Sequence, residues 1–254
     1  MTTTQTLDGA RERLRPYVER AASFKGWMAH VHSRPLGPGH PWDYMARARE
    51  LIADSNSVLD MGTGGGERFG ELLAGYTGRA VATEEWHVNA PIAGAHLRRL
   101  GAETVRCRSL HLPLVDGAFD LVLNRHEELA PAEVARVLRP GGTVLTQQVW
   151  QHWRELERFL PRMTDFGDHY SAYREGFRDA GLQVLDAREH FVDAAYDSLG
   201  DFVYMLCVAP WTIPDFDPLG ADFEALLRLE RELTTPHGLV LTDGSYIIEA
   251  LKPR

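Results

Sequence analysis

Val58-Leu59-Asp60-Met61-Gly62-Thr63-Gly64-Gly65-Gly66-Glu67 is the stretch that decides the fold. Ser57 to Met61 reads as a short buried strand, apolar apart from Ser57 and Asp60. The glycines that follow form a turn, and a helix then runs through Leu72-Leu73. A strand, a glycine turn and a helix in this order let backbone approach a ligand closely at a helix N-terminus.

Outward from this point, strands and helices alternate. Arg79 to Thr83 reads as a second strand and Pro91 to Leu100 as a helix. Thr104 to Cys107 is a third strand, and Phe119 to Asn124, dense in apolar and β-branched side chains, a fourth. Pro131 can open a helix because its missing N–H would be unpaired there, and Leu138-Arg139-Pro140-Gly141-Gly142 closes it. Thr143 to Val149 is strand five; a helix near Tyr170 to Ala180 and strands at Leu182 to Ala187 and Ser245 to Leu251 follow. Such alternation predicts an α/β fold, doubly wound, with a mostly parallel sheet and helices on both faces. Ahead of it, residues 7–32 read as an amphipathic helix, Arg34 to Pro41 as a Pro/Gly-rich linker and Trp42 to Ala53 as a second helix.

At 254 residues and 44% hydrophobic, the chain has enough apolar material for a sizeable core. No apolar run is long enough to span a membrane, and the first residues lack the apolar stretch of a secretory signal. With two cysteines, Cys107 and Cys207, and no disulfide framework, a cytoplasmic location is expected. Net charge is −9, and only residues 1–34 lean basic. Nucleic-acid enzymes draw much of their affinity from phosphate neutralisation, so this balance weighs against an RNA or DNA partner. His30-x-His32 has metal-ligand spacing but no third ligand in view, so no metal is expected.

Dinucleotides and S-adenosylmethionine are the two ligand classes that use a strand–glycine–helix device. A dinucleotide fingerprint places its third glycine six positions along; counted from Gly62 that position is Glu67, a carboxylate where a pyrophosphate would lie. No Gly-Lys-Ser/Thr follows, so a P-loop is excluded too. Asp60-x-Gly62-x-Gly64 after an apolar strand resembles motif I of the class I S-adenosylmethionine-dependent methyltransferases. Glu84 stands where that family has an acid ending strand two. Leu112-Pro113-Leu114-Val115-Asp116-Gly117-Ala118-Phe119-Asp120-Leu121-Val122 and Glu133 to Gly142 resemble its later signatures. The likeness covers about residues 55–150. Asp60-Met61-Gly62-Thr63-Gly64-Gly65-Gly66-Glu67, Asn124-Arg125-His126-Glu127 and Thr146-Gln147-Gln148-Val149 further resemble a bacterial subgroup in which some relatives are labelled ribosomal-RNA guanine methyltransferases. Those carry an N-terminal four-cysteine zinc module, which two cysteines 100 residues apart cannot supply.

The resemblance implies a seven-stranded sheet with an antiparallel last strand, and S-adenosylmethionine as cofactor. It implies cofactor-binding roles for Asp60, Gly62, Thr63, Gly64, Glu84 (with Glu85 as the register alternative) and Asn124. Where many members place an Asp for adenine, this chain has Arg108-Ser109; Ser109, Leu110 and packing on Trp86 are expected instead. His126 is the first candidate general base and Glu127 the second, both at the carboxyl edge of strand four, where open α/β sheets bind ligands. Of Gln147 and Gln148, one should face the crevice and the other a helix layer. Trp150, His152 and Trp153 read as a packing corner.

Four segments follow: an N-terminal helical arm or lid (1–54), the cofactor-binding core (55–191), an inserted substrate lid (192–243) and the last core strand (244–254). The insertion carries Phe202, Tyr204, Met205, Trp211, Phe216 and Phe223, which points to a small apolar or aromatic methyl acceptor. A homodimer is compatible with its apolar content. An RNA-base methyltransferase and a cofactor-binding protein without transfer activity are the alternatives.

Overall fold

The computed structural model describes residues 3–26 and 31–254, with side chains from Leu7 onward. In chain order the elements are α1 (Thr3–Ala22), β1 (Arg34–Pro35), α2 (Tyr44–Ala53), β2 (Ser57–Met61), α3 (Glu67–Leu72), β3 (Arg79–Glu84), α4 (Ala90–Arg98) and β4 (Glu103–Arg106). Then come β5 (Phe119–Arg125), α5 (Pro131–Val137), β6 (Leu138–Val149), a 3₁₀ turn (Arg154–Arg158), α6 (His169–Asp179), β7 (Gln183–Tyr196), α7 (Leu199–Val208), α8 (Phe223–Leu233), β8 (Thr234–Thr235) and β9 (Gly238–Leu251).

The strands form one sheet in the order β1-β7-β9-β6-β5-β2-β3-β4, with β8 paired to β9. From β6 to β4 all pairings are parallel, while β9 runs antiparallel to both β6 and β7. The seven long strands match the expected architecture; the two extra ones are two-residue pairings at the margins. β2 sits in the middle with β3 and β5 on either side, so the loop after Met61 opens at the centre of the carboxyl rim. Asp120 fastens the opposite end. Its Oδ2 accepts from the Asn56 and Ser57 backbone N–H groups and the Ser57 hydroxyl, and it pairs with Arg139.

Period-two alternation splits the strands between two cores. Val58, Ala82, Leu121, Leu123 and Leu145 face α2, α3 and α4, meeting Tyr44, Ile52, Phe69 and Leu97. Leu59, Met61, Val81, Val122 and Val144 face α5 and α6, meeting Val134, Tyr173 and Phe177.

A third core lies beyond the sheet. β7 and β9 stay paired as far as Tyr196 and Leu239, so the excursion runs from 197 to 237 rather than from 192 to 243. There Phe202, Val203, Leu206, Phe223, Leu226 and Leu229 pack with Leu14 and Ala21 of α1 and with Trp153, Leu156 and Phe159. Burying each large apolar side chain contributes about 1.5–3 kcal/mol, enough to hold α1 against the insertion.

Two expectations need correction. α1 stops at Ala22, well short of residue 32: the Ser23 hydroxyl turns back onto the Arg20 carbonyl and Gly26 adopts a left-handed φ of 76°. Arg34 to Pro41 is a strap rather than a free linker. β1 pairs with Ala194 and Ala195, the Leu36 N–H donates to the Asp193 carbonyl, and Arg188 reaches the Pro41 carbonyl.

Candidate active site

Three left-handed glycines shape the loop after β2, with φ of 68° at Gly62, 63° at Gly64 and 83° at Gly66. The Thr63 N–H donates to the Thr83 carbonyl (2.9 Å) and the Gly66 N–H to the Thr63 carbonyl (3.0 Å). Glu84, at the end of β3, is buried and closes the loop from the other side. It accepts from the Gly64 N–H at 2.7 Å and the Trp86 N–H at 2.8 Å.

Carboxylates crowd this loop. Asp60 shares the α2/α3 face with Val58, opposite to Leu59, beside Tyr44 and Arg125 in a pocket of about 40 Å³ that also touches Gly62, Thr63 and Glu67. Burial pushes the Asp60 carboxyl up to about 7, and nearby Glu84 adds to the rise. Burial likewise pushes Glu127 up to about 7, with Glu84 and Glu85 adding to it and Ser109 opposing. Glu84 is raised mainly by burial, against its two backbone N–H bonds. Among the described residues none of the three is in a salt bridge, although the Arg125 guanidinium acts on Asp60 from a distance. Two cations, Arg68 and Arg125, also line the Asp60 pocket, so the carboxylates around the loop outnumber positive charge without excluding it. That excess suits a cationic ligand and disfavours a pyrophosphate.

Beyond β3 and β4 lies an open cleft of about 490 Å³ lined by Glu85, Trp86, His87, Arg106, Cys107 and Arg108. Trp86 is 40% exposed, a large apolar surface with room for a flat ring beside it. Glu85 is exposed and pairs with Arg108 at 3.2 Å, which leaves Glu84 as the acid facing the loop. Ser109 is buried and Leu110 half-buried. Arg136 holds the segment after them: it donates to the Leu112 and Leu114 carbonyls and pairs with Glu133, whose own carboxylate accepts from the Leu112 N–H.

Asn124 has a fully buried side chain on the α5/α6 face, where Oδ1 accepts from the Thr146 hydroxyl (2.7 Å) and the Gln148 amide (2.5 Å) while Nδ2 has no partner among the described residues. The two glutamines do divide between faces. Gln148 joins this buried ladder and also bonds the Glu127 carbonyl, while Gln147 accepts from the Trp42 indole across the sheet.

His126 has a left-handed φ of 60° and donates its backbone N–H to the Gln147 carbonyl. Burial, with Arg125 adding to it, pushes its imidazole down to about 3. A ring that stays neutral to such acidity is a weak proton acceptor, so the environment disfavours the base role expected of it. Glu127 instead lies against the glycine loop, its side chain filling the space a Cβ at Gly62 would need.

Two features of the rim escaped the sequence reading. Asn89, at the N-terminus of α4, is buried and exchanges two hydrogen bonds with Gly26: the Gly26 N–H donates to Oδ1 (2.8 Å) and Nδ2 donates to the Gly26 carbonyl (3.3 Å). The turn after α1 is thereby tied to the start of α4, and a Cβ at Gly26 would meet Glu67 at the end of the glycine loop. His152, expected in a packing corner, has Nδ1 3.1 Å from Asp243 Oδ1. Neither has a local sequence signal, since the partners stand 63 and 91 positions apart. Among the described residues no group of three or more His, Cys, Asp or Glu is arranged to hold a metal ion, and His30 lies outside those residues. Nor is any described helix long and apolar enough to cross a membrane.

Residues 59–146 match the family model described as a methyltransferase domain. A ubiquinone/menaquinone biosynthesis C-methyltransferase of Cupriavidus pinatubonensis is 29% identical over 128 residues, 46% of this chain and 53% of its own. The chain thus spans about half the length of the curated relatives it matches. Among solved structures, a functionally unknown protein from Deinococcus radiodurans superposes with a TM-score of 0.63 at 14% identity, over 94% of this chain and 99% of that one. The 4+2 cyclase SpnF superposes at 0.54 and 21% identity, over 94% and 92%. At these identities the two structures speak for the fold alone. With the strand order of the sheet around the matched segment, the chain carries a class I, Rossmann-like S-adenosylmethionine-dependent methyltransferase domain.

Proposed function

We propose that the chain transfers a methyl group from S-adenosylmethionine to a small apolar or aromatic molecule by direct in-line displacement. The observation that carries this reading is the pairing of Glu84 with the Gly64 and Trp86 N–H groups, across a loop flanked by the Asp60 and Glu127 carboxylates.

When bound, the cofactor supplies an activated methyl on a sulfonium sulfur, so no metal need act on the methyl donor. Glu84 keeps free lone pairs for ribose hydroxyls while its backbone bonds hold it in place. Gly62, Thr63 and Gly64 give the ligand close access to backbone, and Asp60 and Glu127 oppose its positive charge. Trp86 with Ser109 and Leu110 serves the adenine. What this chain must add is alignment of the acceptor and exclusion of water; such positioning accounts for roughly 7–11 kcal/mol of barrier.

The third core supports a lid built jointly from residues 1–54 and the insertion, because α1 packs on α7 and α8 and its following turn is tied to Asn89. An acidic chain fits a small-molecule acceptor better than RNA. Calorimetry with S-adenosylmethionine and with its demethylated product tests the reading. Micromolar binding of both is expected, and a folded sample with affinity for neither would overturn it.

A further inference from the structure

His152 lies at the carboxyl rim just past β6, in a turn with unusual backbone. Its neighbours Gln151 and Trp153 both adopt left-handed φ, 47° and 54°, without being glycine. Such residues persist only where the surroundings hold them, and they cluster at functional sites. Here the hold comes from β9. The Trp150 N–H donates to the Gly244 carbonyl (2.8 Å) and the Trp153 N–H to the Thr242 carbonyl (2.9 Å). Gly244 permits this approach, since a Cβ there would run into the Trp150 carbonyl oxygen. Glu155 adds a further clamp, accepting from both the N–H and the hydroxyl of Thr242.

The strained turn presents one imidazole to one carboxylate. Asp243 sits between the clamped residues Thr242 and Gly244, and its Oδ1 is 3.1 Å from His152 Nδ1. Burial alone would raise its carboxyl, yet the His152 bond holds it below its ordinary value. An ionised carboxylate on Nδ1 fixes the tautomer with the proton there and the lone pair on Nε2. Among the described residues Nε2 has no hydrogen-bond partner, and it is not among the buried unpaired atoms. The groups facing the pair are His126 just past β5, His40 from the strap, and the rings of Trp153 and Tyr196.

We propose that His152, positioned by Asp243, is the proton acceptor for a hydroxylated aromatic substrate bound at this rim. The phenol O–H bond breaks, the proton passes to Nε2, and the electron pair stays on oxygen as the nucleophilic phenolate. Asp243 offsets the imidazolium charge. His152 is thus the catalytic residue and Asp243 the positioning one, displacing His126 from the base role. The inference rests on the methyltransferase reading only for the use made of the phenolate.

The test uses the full chain, wild type and the variants H152A and D243N, with 4-nitrophenol as probe, read by the absorbance of its phenolate with and without S-adenosylhomocysteine. Bound to wild type, the probe should ionise about one pH unit lower than in water, a tenfold gain in phenolate at a pH near 6. H152A should abolish the gain and D243N should cut it severalfold. Calorimetric affinity for S-adenosylhomocysteine should stay within about twofold in both variants, because neither side chain borders the cofactor loop. Equal ionisation in wild type and H152A, or a probe that binds wild type un-ionised or not at all, overturns the dyad. Cofactor binding without probe ionisation sinks the dyad alone. Probe ionisation without cofactor binding sinks the methyltransferase reading and leaves the dyad standing.

Discussion

The side chain of Glu127 occupies the space that a Cβ on Gly62 would fill, and Gly62 has a left-handed φ of 68°. Glycine is required there twice over, once by backbone conformation and once by the neighbour pressed on it. Gly62→Ala should lower stability by about 1–3 kcal/mol and weaken S-adenosylmethionine binding at least tenfold. Differential scanning fluorimetry and calorimetry check the two effects. Wild-type affinity in the variant would show that the Gly62 loop does not contact the ligand.

Proton linkage gives a second prediction. Asp60 and Glu127 have carboxyls pushed up to about 7. An arriving cation favours their ionised forms, so below about pH 7 binding releases protons and affinity should rise with pH, by up to tenfold per unit per proton, levelling off above about 7. Calorimetry in buffers of different ionisation enthalpy counts the protons. A flat affinity between about pH 5 and 7 would contradict the assignment.

The same shift acts on stability with a definite sign. The folded Asp60 carboxyl holds its proton more tightly than the unfolded one does, so raising pH from about 4 through 7 costs stability. Asp60→Asn should therefore stabilise the empty protein at neutral pH, by about 1–2 kcal/mol, while weakening cofactor binding. Urea denaturation at two pH values would separate the variant from wild type. The gain should vanish near pH 4, where wild-type Asp60 no longer carries the cost of ionising in the fold.

Asn89 offers a test of the lid. Removing its side chain in Asn89→Ala leaves the Gly26 N–H and carbonyl unpaired, at a cost of about 1–3 kcal/mol to that local contact. Hydrogen exchange should quicken around residues 23–26 with the sheet unchanged, and cofactor should dissociate severalfold faster if this turn helps to retain it.

Much of the architecture was legible because the periodicities were clean. Ser57 to Met61 reads as a strand from five residues and forms one, and Pro131 opens α5 as its missing N–H predicts. β7 and β9 extend beyond the strands read from sequence, since their outer halves run past β6 as a ribbon edged by the short β1 and β8, with polar residues such as Asp193 and Asp243 among the apolar ones. Acids near the glycine loop could be named from their motif positions. The burial of Asn124 could not, because it depends on Thr146 and Gln148 of the next strand. His152 looked like packing material because its partner stands on a strand far along the chain.

The place of β9 between β6 and β7 has a consequence for how the molecule assembles. β7 comes earlier in the chain, yet among the described residues its sheet neighbours are the two-residue β1 and β9. Until β9 pairs, β7 and the helices that follow it lack their main anchor in the sheet, and the entropy of closing this long excursion is met in a single step. Sheet completion and docking of the helical cap should therefore coincide, making this insertion the slowest and last part of the protein to acquire its native structure.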